Sequence, residues 1–477
     1  MFFESLKQAA PILILLAAVW LVLSRLPKVD LGHSDAFKKR RLWNWLPLGL
    51  TYAFLYMGRY NLTVSKNAFG DLMTNSDFGT IFGIGTIVYG IGGIINGPIT
   101  DKIGGRTAIL IAALGAAFAN FGMGLVTYFG WTSNLVLTFS ILYSFNMFFQ
   151  SFGAISIVKV NSGWFHVRER GTFGGIFGIL ISLGLYFAYD WGGIIVKTFT
   201  LPWVFFVPTL MLIGFFIISY ATVQDVPSKA GFQDFDAGDA KFAEGENLTP
   251  FQVAKRMLGT PVILTIICIE FCSGFLRNAI MHWYLIFSKQ TGTMTAFVPS
   301  NWGLLLCCAG ILGGVVAGTL SDKVFDSRRG PVTAVLYGVM VVGGIGATFL
   351  LSSPYLGWLV VFMSMAIIGV HGMLAGTASM DFSGKKNVGT AVGLIDGVVY
   401  MGTSAESIYY GAILPNGEAA KDPHNWMAWP VAMIPIALIG FFLTLRLWNA
   451  KPNAKASAKH ETKIPVTLTS EQVGVNS

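Results

Sequence analysis

Long apolar blocks, separated by short loops that carry charge, glycine or proline, run through this chain from residue 11 to residue 447. Many approach the ~20 residues that take a helix across a hydrocarbon layer. They predict spans at 11–26, 45–65, 78–99, 107–128, 135–160, 172–196 and 203–222, and after a polar stretch at 261–287, 300–320, 331–352, 356–380, 388–414 and 427–447. Backbone polar groups find no partner in lipid, so the pattern predicts an all-α, polytopic bundle. The first block, PILILLAAVWLVLSRL, is short, but no small-x-small cleavage site follows it. It reads as an extra amino-terminal transmembrane helix rather than a signal peptide.

Composition agrees. Of 477 residues, 54% are hydrophobic and 12% charged, against about 25% charged in soluble proteins. The net charge of +8 does not point to nucleic acid, because the cations fall in alternate loops: 38–41, 101–106, 166–170, 322–329, 384–386 and the tail after Arg446. The positive-inside rule places these in the cytoplasm, with the carboxyl terminus inside and, given the extra helix, the amino terminus outside. Cys268, Cys272, Cys307 and Cys308 all lie within apolar blocks and read as small packing residues, not disulfides or a metal set. The acidic, glycine-rich stretch 224–250 reads as a linker. The expected organisation is 1–43 (extra helix and basic linker), 44–222 and 261–448 (six helices each), 223–260 (loop between halves) and 449–477 (tail).

The halves repeat one another. Arg59 and Arg277 each interrupt the span that opens their half, 218 positions apart; Gly171 and Gly389, in the RERGT and KKNVGT loops, have the same separation. GPITDK and GTLSDK share Gly-x-x-x-Asp-Lys, with Asp101 and Asp322 221 positions apart. Such duplication in a membrane protein points to a transporter with its site between the repeats near the midplane. An arginine at the bilayer centre costs about 2.5–3.5 kcal/mol on insertion scales, so it faces a cavity, a counter-charge or a ligand. Guanidinium suits phosphate oxygens, and two cations from symmetric positions suit a dianion. The structural alternative is neutralisation by Glu270, Asp190 or Asp396.

The run from Gly97 to Arg106 resembles the loop 2–3 signature of the major facilitator superfamily. YAFLYMGRYNL, FNMFFQSFG, WFHVRERGT, GFLRNAIMHW, LSDKVFDSRRG and GKKNVGTAVG resemble segments of its organophosphate:phosphate antiporters, over roughly residues 45–450. The resemblance implies two six-helix halves, and substrate phosphate held by Arg59 and Arg277. It also implies cavity roles for Tyr52, Tyr56, Tyr89 and Tyr400, while Asn146 and Gln150, spaced i, i+4, read substrate hydroxyls or bond between helices. Asp101, Arg106, Asp322 and Arg328 are expected at the gating loops. The chain departs from the family where a lysine is replaced by Gly93, a histidine by Ile181, and an aspartate five positions after the second arginine by His282. His282 is nonetheless a cavity candidate. Lys66, nearer the outer end of its helix, is expected to snorkel to the interface.

The expected activity is exchange of a glycerol-phosphate or sugar-phosphate class ester for inorganic phosphate by a monomer in a bacterial inner membrane. The alternatives are a membrane sensor of sugar phosphate and a proton-coupled symporter using Asp396, Glu406 or His282. No nucleophile, metal-ligand or phosphate-loop signature suggests an enzyme, a metal or a cofactor.

Overall fold

The computed structural model describes residues 31–166, 169–235, 249–325, 328–383 and 387–449, with Ala17 and Trp20, and for 170–177, 322 and 375–383 the backbone alone. The span expected at 11–26, the acidic stretch 236–248, the 384–386 loop and the tail lie outside the described residues. All twelve spans predicted between 45 and 447 are helices. In chain order they are α1 (Asp35–Phe69), α2 (Asn75–Ile103), α3 (Gly105–Tyr128), α4 (Leu135–Trp164) and α5 (Arg170–Tyr186, continued through Phe187–Trp191 and Gly192–Thr198). Next come α6 (Trp203–Thr222), α7 (Pro261–Met281, continued as Trp283–Gln290), α8 (Trp302–Val324) and α9 (Arg329–Leu350). The series closes with α10 (Leu356–Ser383), α11 (Val388–Ile413) and α12 (Ala428–Arg446).

Among the described residues, eleven regions are long and apolar enough to cross a membrane, and α1 is not among them. Polar residues inside its apolar run explain why: Arg59, Asn61 and Lys66 lower its hydropathy, along with Tyr52, Tyr56 and Tyr60. The helix starts well before that run, at Ser34, whose hydroxyl accepts from the Phe37 amide at 3.2 Å, and its first turns carry Lys38, Lys39, Arg40 and Arg41. Thr74 and Asp77 open α2 with a reciprocal capping box at 3.1 and 2.8 Å, a device that contributes about 0.5–2 kcal/mol. Gly104, at φ 87°, turns the chain from α2 into α3, a conformation that costs any other residue.

The architecture is two six-helix halves, α1–α6 and α7–α12. Between them the chain forms one 3₁₀ turn, Pro227–Ala230, and a short helix, Pro250–Leu258, which buries Val253 and Met257. This helix starts where the acidic stretch expected at 224–250 ends, and Thr249 and Gln252 form a second capping box at its start. The halves meet where α2 packs on α11 and α5 on α8. The first contact runs backbone against backbone. A Cβ on Gly93 would meet the Gly393 carbonyl at 2.9 Å, and one on Gly90 the Gly397 carbonyl at 2.7 Å. A lysine at position 93 has no room in this arrangement, so the departure at Gly93 is a packing feature.

Two irregularities were not visible in the sequence. One is the π-helical turn Phe187–Trp191 in α5, and the other is the interruption of α7 at His282. Both sit where a half bonds to its partner. Cys272, Cys307 and Cys308 are buried and Cys268 exposed, all four unpaired.

Candidate functional site

Arg59 lies in α1, fully buried. Its Nε donates to Gln150 Oε1 at 2.8 Å, and Nη1 donates to the Tyr400 hydroxyl of the other half. Nη2 is buried without a hydrogen-bond partner. Four rings surround the guanidinium: Tyr56 at 4.7 Å, Tyr89 at 4.8 Å, Tyr400 at 5.2 Å and Tyr60 at 5.9 Å. Ring faces attract a cation without satisfying its donors, so the charge is tolerated while a donor stays open to an acceptor.

A polar ladder in the first half holds this arginine in place. Gln150 Nε2 donates to Asn146 Oδ1 at 2.9 Å, one turn back on α4. Asn146 Nδ2 donates to the Gly58 carbonyl at 2.9 Å, and Asn120 Nδ2 to the same carbonyl at 3.1 Å. The Tyr143 hydroxyl donates to the Arg59 carbonyl at 3.0 Å. The i, i+4 pair Asn146 and Gln150 therefore positions Arg59 through bonds between helices. Asn120 and Tyr143 escaped the sequence reading, although a lone asparagine in the apolar α3 was a usable signal.

Arg277 lies in α7, 5% exposed. Among the described residues it makes no hydrogen bond or ion pair, and its Nε is buried and unpartnered. Tyr56, Tyr60, Tyr400 and Asp396 lie within its electrostatic reach. Tyr56, Tyr60 and Tyr400 are also neighbours of Arg59, so both cations share one cluster of tyrosines drawn from the two halves. None of the three suspected acids pairs with either arginine. Glu270 bonds His371, Asp190 accepts from two backbone amides, and Asp396 accepts from the Tyr89 hydroxyl at 2.9 Å. Tyr89 stacks on Tyr400 with centroids 3.7 Å apart. Tyr52 packs edge-on to Tyr56 at 5.2 Å and lies one turn farther from the arginines.

His282 is buried and tied to both halves. Asn278 gives its amide hydrogens to the Gly274 carbonyl and Thr403 Oγ1, so its oxygen accepts from His282 Nε2 at 3.0 Å. Nδ1 is left to accept from Thr63 and from the Tyr189 hydroxyl, the latter at 3.1 Å. The ring is a wedge joining α7 to α1 and α5, with no free nitrogen for a ligand in this arrangement. The ring also lies beside Tyr60, centroids 5.1 Å apart, next to the tyrosines around Arg59.

The loop residues divide. Asp101 accepts from the Gly389 and Thr390 amides at 3.0 and 2.9 Å, capping α11 across the seam, and pairs with Lys159 at 2.8 Å. At the opposite end Asp190 accepts from the Gly303 and Leu304 amides at 2.7 and 2.9 Å, capping α8. Each carboxylate faces the positive end of a helix of the other half. Arg106 instead binds its own half, through the Tyr220 carbonyl at 2.6 Å, and Arg328 donates to the nearby Phe325 carbonyl at 3.1 Å. Among the described residues neither donates a hydrogen bond to the other half. The Asp322 side chain lies outside the described residues. Lys66 does not snorkel along lipid: it is 3% exposed, near Asp71 and Asp77.

A model of the Major Facilitator Superfamily matches residues 48–405. A probable hexose phosphate transport protein of Chlamydia trachomatis is 26% identical, covering 89% of this chain and 94% of that protein. A glycerol-3-phosphate transporter of Bacillus subtilis is 25% identical over 89% of this chain and 96% of its own. A hexose-6-phosphate:phosphate antiporter of Escherichia coli is 25% identical over 87% and 92%. Among solved structures, a bacterial homologue of the human lysosomal transporter Spinster, inward-facing and unoccupied, superposes with a TM-score of 0.64 at 14% identity, covering 87% of this chain and 98% of that one.

Proposed function

The chain belongs to the Major Facilitator Superfamily, and from that premise we propose that it exchanges an organic phosphate ester for inorganic phosphate by alternating access. One observation carries the reading: Arg59 and Arg277, one from each half, are buried with unpartnered donors beside a shared cluster of tyrosines. A phosphate dianion supplies acceptors for both and neutralises both. The relatives named for hexose phosphate, glycerol 3-phosphate and phosphate antiport support that ligand class.

Exchange follows from the same pair. Two facing arginines with no anion between them repel each other, which opposes closure of the empty carrier. A bound dianion removes the repulsion and lets the halves 44–222 and 261–448 rock. In this reading the monomer sits in a bacterial inner membrane, the loops at 101–106 and 322–329 and the carboxyl terminus face the cytoplasm, and Asp101 and Asp190 close the inner and outer faces. No step needs a cofactor or covalent chemistry.

The test is transport into liposomes. Vesicles preloaded with phosphate are expected to take up labelled phosphate or glycerol 3-phosphate, and empty vesicles to do so slowly even under a proton gradient. Uptake that ignores internal phosphate would overturn the exchange. Specific binding of the ester with no transport in either vesicle would favour a sensor.

A further inference from the structure

The second half contains an acid–imidazole pair that the anion site does not use. Glu270, in α7, is fully buried, and its Oε2 lies 2.8 Å from His371 Nδ1 in α10. Its other oxygen, Oε1, is buried with no hydrogen-bond partner. His371 keeps 23% of its side chain exposed. Ionisable groups at membrane depth are expensive and are retained where they do something. Here the described ion pairs give the carboxylate one partner, and of the two it is that partner which keeps part of its side chain exposed.

We propose that Glu270 and His371 form a proton-binding site, through which the carrier takes up and releases a proton as the halves exchange conformations. The relay balances. A proton arriving at His371 Nε2 is matched by transfer of the Nδ1 hydrogen to Glu270 Oε2, leaving a neutral imidazole of the other tautomer and a neutral carboxyl. Release reverses both transfers. Protonation removes a buried charge that only one hydrogen bond offsets, so the two states differ in how tightly α7 and α10 hold together.

The pair is mechanically linked to the anion site. Glu270 and Arg277 are seven residues apart on one helix, two turns or about 10 Å along the axis. Between them Gly274 rests against the Val399 carbonyl of α11, and the next residue, Tyr400, bonds Arg59. A shift of α7 therefore acts on the part of α11 that presents Tyr400 to Arg59. Around the pair, α9 brings Tyr337, whose hydroxyl is committed to the Ile269 carbonyl at 2.7 Å. Helix α7 brings Cys268 and Cys272, α11 carries Asp396 and Glu406 at the levels of Tyr89 and Ser407, and α8 carries Cys307 and Cys308 toward Asp190. Helix α12 has no titratable side chain before Arg446.

The inference deepens the proposed exchange and rests on it for its transport readout only. The first measurement labels the wild-type protein in liposomes with a hydrophobic carbodiimide, which attacks protonated buried carboxyls, and locates the adduct by mass spectrometry. Labelling of Glu270 is expected to be about tenfold or more weaker at alkaline than at acidic pH, and to slow when phosphate is added. Absence of Glu270 labelling at every pH, or labelling indifferent to pH, overturns the proposal whether or not the protein exchanges phosphate. The second follows labelled phosphate exchange against pH in wild type, Glu270→Gln and His371→Gln. Phosphate titrates itself, so the informative quantity is the difference between profiles. Both variants are expected to exchange with a profile flattened to that of phosphate alone. Profiles that superimpose on the wild type overturn the proton site while leaving the exchange standing. If Glu270→Gln does not assemble, His371→Gln reports the same relay.

Discussion

Arg59 and Arg277 occupy equivalent places in two repeated halves, yet the halves treat them differently. The first half presents its arginine finished: Gln150, the Asn146–Asn120 ladder and four tyrosine rings fix the guanidinium before any ligand arrives. The second half leaves Arg277 without a hydrogen bond among the described residues. Symmetry in sequence has diverged into a division of labour. In the proposed exchange one cation is preorganised and sets where the anion sits; the other has uncommitted donors that the anion can satisfy. Leaving a buried charged donor unpaired costs more than the ~1–3 kcal/mol of a neutral one, which makes Arg277 the residue that a ligand relieves.

The largest effect expected from breaking this contrast comes from replacing each arginine by lysine. Arg59→Lys loses the forked geometry and strands Gln150, so phosphate affinity, measured by calorimetry on the purified protein, should fall about 100-fold. Arg277→Lys strands nothing else and should lose about tenfold. Equal losses would mean that the two halves prepare their cations alike. Next in size, Gln150→Leu removes the acceptor from Nε while keeping both charges. A loss of about tenfold in affinity is expected from a misaimed Arg59, and no change would show that the tyrosine cage alone holds it. The smallest effect belongs to Tyr400→Phe, which frees Nη1 and cuts the one hydrogen bond from the Arg59 side chain to the second half. Exchange in liposomes should slow by about threefold with phosphate affinity unchanged; a gain in affinity would identify the Tyr400 hydroxyl as a competitor of the anion.

The arginines were legible because a permanent cation inside an apolar block is an anomaly that a short window reveals, and the shared offset made two anomalies one argument. The helices were legible for the related reason that lipid permits few alternatives. Partnerships were not. Gln150 stood out as one turn from Asn146, but nothing local pointed its carbonyl at Arg59, 91 residues earlier. The histidine in place of an aspartate at 282 suggested a cavity residue, whereas Thr63 and Tyr189 reach it from two helices of the other half. Asp190 was visible as an intramembrane acid, yet its use depends on α8 presenting two amide hydrogens to it, a fact of assembly. Arg106 and Arg328 were placed at the gate by their motif alone, and their reach is set by the carbonyls nearest to them.

The glycine seam between α2 and α11 bears on how fast such a molecule can turn over. Where side chains interlock, each passage from one conformation to the next must unpick and reset rotamers, and that resetting acts as friction. At Gly90, Gly93, Gly393 and Gly397 backbone meets backbone, and glycine has no rotamers to reset. In the proposed exchange such a seam would work as a smooth bearing, keeping the halves in register while leaving the speed of the swing to the few polar contacts at either end.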